Sequence, residues 1–210
     1  MKQLICLCMA ITIFAACKPK QAKLPIYGSR EAVEKIVGGK TVTDTVYKTI
    51  PAFRFLNQDS TMIDNHLFDG KIYVADFFFT SCPSICPIMH RNLLKVYEKY
   101  KDNKNVMLLS HSIDFKYDVP HVLKAYATRL GISGQQWQFV HGSKEEIYGL
   151  AQRDYLVSVS ADAKAPGGYV HQGYLVLVDK QKRVRGAYDG TKEEQTEQLM
   201  KDMDILLQEE

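Results

Sequence analysis

The run Ile72-Tyr73-Val74-Ala75-Asp76-Phe77-Phe78-Phe79 narrows more than any other segment what this chain can become. It is too short for a helix of ordinary length and rich in aromatic and β-branched residues, so it reads as a strand buried on both faces, spanning Lys71 to Phe79. Cys82-Pro83-Ser84-Ile85-Cys86-Pro87 follows almost at once. Two thiols at the mouth of a buried strand can exchange electrons as a disulfide or hold a soft metal.

The rest of the chain alternates in period. Met89, Leu93, Val96, Tyr97 and Tyr100 fall at helical spacing after Pro87, and residues 105–110 read as a second buried strand. Asp118 ahead of Pro120 is expected to open a helix carrying Leu123, Tyr126 and Leu130. Residues 137–140 predict a short strand, and Ser143 with Glu146 three positions on predicts a capping box. Residues 173–178 and 183–188 flank the polar turn Asp179-Lys180-Gln181-Lys182, an antiparallel hairpin, and Thr191 with Glu194 is expected to cap a closing helix through Leu199, Met203 and Leu206. Strands alternating with helices, then a hairpin and a helix, predict an α/β thioredoxin-like fold: a mixed central sheet flanked by helices, with an N-terminal extension and a C-terminal hairpin plus helix.

The first residues read as an address. Lys2 precedes an apolar stretch from Leu4 to Phe14 that is too short for a permanent membrane anchor, closed by Ala15-Ala16-Cys17. This resembles a bacterial lipoprotein signal, with Cys17 the lipidated residue and the mature protein membrane-anchored in the cell envelope, facing the extracytoplasmic space. An ordinary secretory signal cut after Ala16 is the alternative. The expected organisation is a signal over 1–16, a tether over 17–45 and a single domain over 46–210. Of five cysteines, Cys6 and Cys8 leave with the signal and Cys17 is spent on the anchor, so Cys82 and Cys86 are the thiols the domain keeps. A bridge between them would close almost no loop, which favours a functional pair over a structural one. Loss of Met1 to Ala16 removes one Lys and takes the formal charge from +3 to +2, a balance that points to neither nucleic acid nor a polybasic membrane surface.

Three separated blocks carry a family resemblance. Phe79-Thr80-Ser81-Cys82-Pro83-Ser84-Ile85-Cys86-Pro87 resembles the core motif of the Sco/SenC family, thioredoxin-fold copper proteins that assist assembly of the CuA centre of cytochrome c oxidase. Ser112-Ile113-Asp114 with Asp118, Pro120, Leu123 and Tyr126 resembles its second block, and His171 ahead of Tyr174-Leu175-Val176-Leu177-Val178-Asp179 its third. The resemblance implies Cys82, Cys86 and His171 as copper ligands, for Cu(I) with Cu(II) as a second state. It further implies delivery to oxidase subunit II, a thioredoxin-like reductant that keeps the pair reduced, and a carrier rather than an enzyme in the strict sense. Val170 stands where the family usually has Asp, and Phe115 where it commonly has Pro.

Donor chemistry agrees. Thiolates suit Cu(I), imidazole tolerates both copper states, and two thiolates with one imidazole form a low-coordinate site that can give its metal away. Pro87 suits the first turn of a helix, so Cys86 is expected at a helix N-terminus that favours thiolate. The competing reading is a thiol-disulfide oxidoreductase in which Cys82 and Cys86 form a redox pair and His171 is dispensable. Peroxidase chemistry is disfavoured because the run before Cys82 lacks the proline and spacing expected of peroxiredoxins. Among other residues, His90 could share a helix face with Cys86 and His111 could approach the site or turn into the core. His66, His121 and His141 read as surface or loop residues. Asp114 is expected to order a loop, and Asp76 is a candidate buried carboxylate behind the cysteines.

Overall fold

In a computed structural model of the chain, residues 23–209 are described; the expected signal and Cys17 lie outside them. The chain enters through a hairpin of β1 (Arg30–Val37) and β2 (Lys40–Tyr47), then β3 (Arg54–Asn57) and β4 (Met62–Asp64). The central unit is β5 (Ile72–Phe78), α1 (Cys86–Tyr100), β6 (Val106–Ser112), α2 (Pro120–Arg129) and β7 (Trp137–His141). Next come α3 (Lys144–Gly149), which runs into a π-helical turn over Leu150–Asp154, and a second hairpin of β8 (Val159–Ala161) and β9 (Tyr169–His171). The chain closes with β10 (Tyr174–Val178), β11 (Val184–Asp189) and α4 (Glu193–Gln208).

Seven strands form one mixed sheet in the order β11-β10-β5-β6-β7-β3-β4. β5, β6 and β7 run parallel, while β10, β11, β3 and β4 pair antiparallel. Every residue of β5 and β6 is buried, as expected for parallel strands covered on both sides. Alternation along β5 divides the layers: Asp76 and Phe78 meet α1, whereas Phe77 packs on Tyr155 beyond the π turn. On the α1 side, α2 is joined through Tyr126 to His90, and α4 through Asp204 to Tyr100. The core is aromatic, with Trp137, Tyr73, Tyr155, Phe68, Phe77, Phe78, Phe79 and Phe139 fully buried. Each such side chain contributes on the order of 1.5–3 kcal/mol in removal from water.

The expected elements of the domain core form, and several details differ. Residues 30–47, of which 30–45 read as tether from the sequence, form the β1–β2 hairpin: Val33, Ile36 and Val37 precede Gly38-Gly39, and alternating threonines and valines follow them. Those two glycines take φ of +58° and +76°, the positive values a two-residue turn of this kind requires. Asp118 does not cap α2, which starts with Pro120 after an extended Val119; its carboxylate is directed inward instead. Thr191 does not cap α4 either. Its hydroxyl donates to Asp189 at 2.6 Å, and the helix begins after Lys192 without a side-chain cap. The Ser143–Glu146 capping box is present at α3.

The two ends of the sheet have different roles. At the N-terminal end of β5, the buried Arg185 donates to Asp179, Glu209 and the backbone carbonyls of Leu24 and Pro25, and Tyr27 bridges to Val184. At the C-terminal end, β5 opens into the cysteine loop.

Candidate metal centre

β5 ends at Phe78, and the chain turns sharply, with the Cys82 amide donating back to the Phe79 carbonyl at 3.2 Å. Pro83 and Pro87 bracket the turn, and α1 begins at Cys86 itself. Pro87, in the first turn, has no amide hydrogen to leave unsatisfied there. The three-residue spacer therefore carries Cys82 on a loop and Cys86 on the first turn of a helix. β9 ends at His171, and its hairpin lies over that loop. Cys86 Sγ lies 3.2 Å from His171 Nε2, and one ligand atom from each of Cys82, Cys86 and His171 falls within 4.8 Å of the other two.

That separation fits one ion. Sulfur and nitrogen donors sit about 2.0–2.3 Å from a bound late transition metal, so three donors around one centre stand about 3.5–4 Å apart. With one pair at 3.2 Å and none beyond 4.8 Å, adjustments of about 1 Å bring the three donors to that spacing. Ser84 Oγ lies 3.7 Å from Cys82 Sγ, and the surrounding cleft of about 210 Å³ is lined by Phe79, Ile85, Pro166 and Tyr169, a largely apolar rim.

The thiols are electrostatically unequal. Cys82 is drawn down to about 3, chiefly by its hydrogen bond with Cys86 and further by His171, against the opposing effect of burial. Cys86 is pushed up, first by the same partner and then by burial, with the negative charge of Asp76 adding to it. The pair shares one proton, held on the deeper sulfur. The helix N-terminus was expected to favour thiolate at Cys86; the hydrogen bond between the two thiols, with burial second, reverses that and puts the charge on Cys82.

Several residues whose part in the site the sequence did not reveal hold the triad in place. Asp118 accepts from the Thr80 amide and hydroxyl and from the Ser112 hydroxyl, tying the exits of β5 and β6 together beneath the cysteine loop. Asp114 orders its own loop, as expected, by accepting from the amides of Lys116 and Tyr117; it also accepts from the Tyr169 hydroxyl at 2.9 Å. The Tyr169 ring packs on Phe79, and the His171 ring meets the same phenyl edge-on. Gly167, with φ of +78°, lets the hairpin backbone approach: a Cβ there would stand 2.6 Å from the Phe79 ring and 3.3 Å from Pro83. Val170 is half exposed, and His171 Nδ1 is buried with no partner among the described residues. In the sequence, paired Gly167-Gly168 reads as part of a flexible loop from Ser160 to Tyr169 that delivers His171; its close approach to an aromatic ring is not visible there.

The other histidines are elsewhere. His90 is wholly buried in α1 and uses both ring nitrogens: Nε2 donates to Asp76 at 2.9 Å and Nδ1 lies 2.7 Å from the Tyr126 hydroxyl. Asp76 is the buried carboxylate anticipated, and it also accepts from Ser110, whose oxygen in turn accepts from Trp137 Nε1. His111 is turned into the core, stacked on Phe77 and held neutral by burial, which lowers it to about 4. His66 is exposed beside Asp69, His121 is exposed at the start of α2, and His141 is half-buried at the end of β7.

A thioredoxin-like domain that offers two thiols and an imidazole to one point defines a class of metal- and redox-active proteins. The chain belongs to the SCO1/SenC family, whose model matches residues 42–208. It is 31% identical over 171 residues to the SCO1 protein homolog of Bacillus subtilis, covering 79% of this chain and 86% of the relative. Among solved structures, it resembles a SCO1/SenC family lipoprotein from Bacillus anthracis (29% identity, TM-score 0.69, 76% of this chain and 95% of that one). It also resembles BsSco, described as a member of the Sco family of cytochrome c oxidase assembly proteins (27% identity, TM-score 0.68, 77% and 95%). The fold is shared with copper-bound ScoI of Arabidopsis thaliana (21% identity, TM-score 0.62, 75% and 99%).

Proposed function

We propose that this protein is a membrane-tethered metallochaperone that binds one copper ion through Cys82, Cys86 and His171 and delivers it to the CuA site of cytochrome c oxidase subunit II. The observation that carries the reading is the convergence of the three donors within 4.8 Å. A set of two soft thiolates and one imidazole selects Cu(I) and tolerates Cu(II). Three donors leave positions open, so an acceptor's thiolates can replace the carrier's one at a time, and copper is cargo rather than a fixed cofactor. Lipidation of Cys17 holds the domain, residues 46–210, at the outer side of a membrane, with residues 17–45 leading to it.

A second reading, reduction of oxidase or other exported thiols, uses the same cysteines. The charge on Cys82 weighs against it. A stabilised thiolate is a weak nucleophile toward disulfides and a good leaving group from one, which favours the reduced pair. A pair poised to stay reduced suits metal capture and asks only for a thioredoxin-like reductant to restore it. The test is an anaerobic Cu(I) titration of reduced protein, repeated on His171→Ala. One equivalent bound tightly, with affinity falling at least tenfold in the variant, is expected; equal affinity, with disulfide reductase activity retained, would leave the redox reading alone standing.

A further inference from the structure

The β8–β9 hairpin forms a two-stranded sheet of its own and has no ladder to the main sheet, yet it carries the imidazole of the triad. Backbone bonds hold the foot of the hairpin, where His171 pairs with Val159 and the Gly190 amide donates to the Gly173 carbonyl, but the aim of the ring is left to side-chain contact. Two links, Gln152 Nε2 to the Val159 carbonyl and Gln172 Oε1 to the Ser158 amide, lie at the base of the hairpin. Farther toward the hairpin tip, a hydrogen bond ties it to the loop that follows β6: the Tyr169 hydroxyl donates to Asp114 Oδ1 across 55 residues of sequence. Asp114 cannot yield, because it is buried, its amide accepts no other role than donating to Ser112 Oγ, and its carboxylate already closes the loop onto Lys116 and Tyr117. Tyr169 and His171 alternate on the same strand, so their side chains point to the same face, and both rest on Phe79. His171 has no partner at Nδ1 to hold its ring independently.

We propose that Tyr169 and Asp114 form a latch that sets the position of His171 over the cysteines, and so acts as a positioning pair for metal capture and release. With the latch made, Nε2 faces the sulfurs; with it broken, the outer part of the hairpin swings free, β9 twists with it and the imidazole is no longer held over the sulfurs, leaving a two-thiolate site that an acceptor can strip. This rests on the copper reading above for its purpose, although the ring's position can be read without any metal.

The experiment compares the full chain in detergent with Tyr169→Phe, His171→Ala, the double variant, and Asp114→Asn, whose amide oxygen still accepts from tyrosine. Removing the hydroxyl is expected to speed displacement of bound Cu(II) by excess chelator about tenfold, equivalent to about 1.4 kcal/mol. It should also weaken the nitrogen hyperfine splitting in the electron paramagnetic resonance spectrum. Tyr169→Phe added to His171→Ala should change nothing further, and Asp114→Asn should behave as the parent. In metal-free protein the His171 ring resonance should shift and narrow in Tyr169→Phe. Unaltered release and spectra in Tyr169→Phe, while His171→Ala is impaired, would overturn the latch and leave the copper reading intact. An equal effect of Tyr169→Phe with and without His171 would also overturn it, marking a general loosening. If copper fails to bind at all, the metal-free resonance still decides whether Tyr169 positions the ring.

Discussion

Gly167 and Gly168 form a matched pair for testing how closely the hairpin must approach the cysteine loop. Both take positive φ, +78° and +85°, so alanine at either position meets the same backbone penalty of about 1–2 kcal/mol. They differ in what the new methyl would meet. At Gly168 there is nothing within 4 Å; at Gly167 the methyl would stand 2.6 and 2.9 Å from two carbons of the Phe79 ring. Carbon contacts are comfortable at about 3.5–4.0 Å, so ring and hairpin must part by about 1 Å. Phe79 is 1% exposed and caps the core, so the hairpin moves and His171 moves with it. Overpacking of this kind adds about 1–3 kcal/mol, felt mainly by the closed arrangement. At tenfold per 1.4 kcal/mol, Cu(I) affinity in Gly167→Ala should fall about 5- to 140-fold below that of Gly168→Ala. Competition against a chromophoric Cu(I) chelator measures this, and urea unfolding of the metal-free variants supplies the control, with midpoints expected to agree closely. Equal copper affinities in the two alanine variants would refute the claim that close approach of the turn sets the triad.

Other outcomes follow from the buried charges. His90→Ala strands the Asp76 carboxylate in the core and should cost about 3–5 kcal/mol, visible as a fall of about 10 °C or more in thermal midpoint, with Asp76→Ala/His90→Ala losing less than the sum of the single changes. Because Cys82 is held near 3, its alkylation by iodoacetamide should be nearly flat from about pH 5 to pH 8, whereas an ordinary thiol near 9.0 would gain about tenfold per pH unit; steep pH dependence would contradict the shared proton. Mass mapping should find the label on Cys82 and not on the deeper Cys86. Arg185→Met removes the cation between Asp179 and Glu209 and should destabilise by about 3–5 kcal/mol, and amide exchange at Tyr27 should accelerate with it.

How much of this was legible in the sequence depends on whether local pattern or distant contact decides. The apolar run of β5, the helical spacing after Pro87 and the Ser143–Glu146 box are local signals, and each formed where expected. The strands β3, β4, β8 and β9 are short and carry weak alternation, so their pairing is decided by partners far along the chain rather than by their own residues. Asp118 and Thr191 looked like caps because the residue types fit; tertiary partners, Thr80 and Ser112 for one and Asp189 for the other, claimed their oxygens. The ligand triad was legible only through family resemblance, since nothing local links His171 to a loop 85 residues away. Gly167 was legible only as flexibility and Tyr169 carried no signal, because their roles depend on Phe79 and Asp114 lying opposite.

The clamp around Arg185 and Tyr27 has a consequence for aim. It fastens the start of the described chain at the pole of the sheet where β5 begins, while the two sulfurs stand at the pole where β5 ends. A leash fixed at Cys17 would thus pull from the back of the molecule and leave its working tip facing away from the lipid. The domain would meet a client that projects well above the bilayer and could not readily serve one buried flush with it. Shortening the leash should then cripple delivery without touching the affinity for cargo.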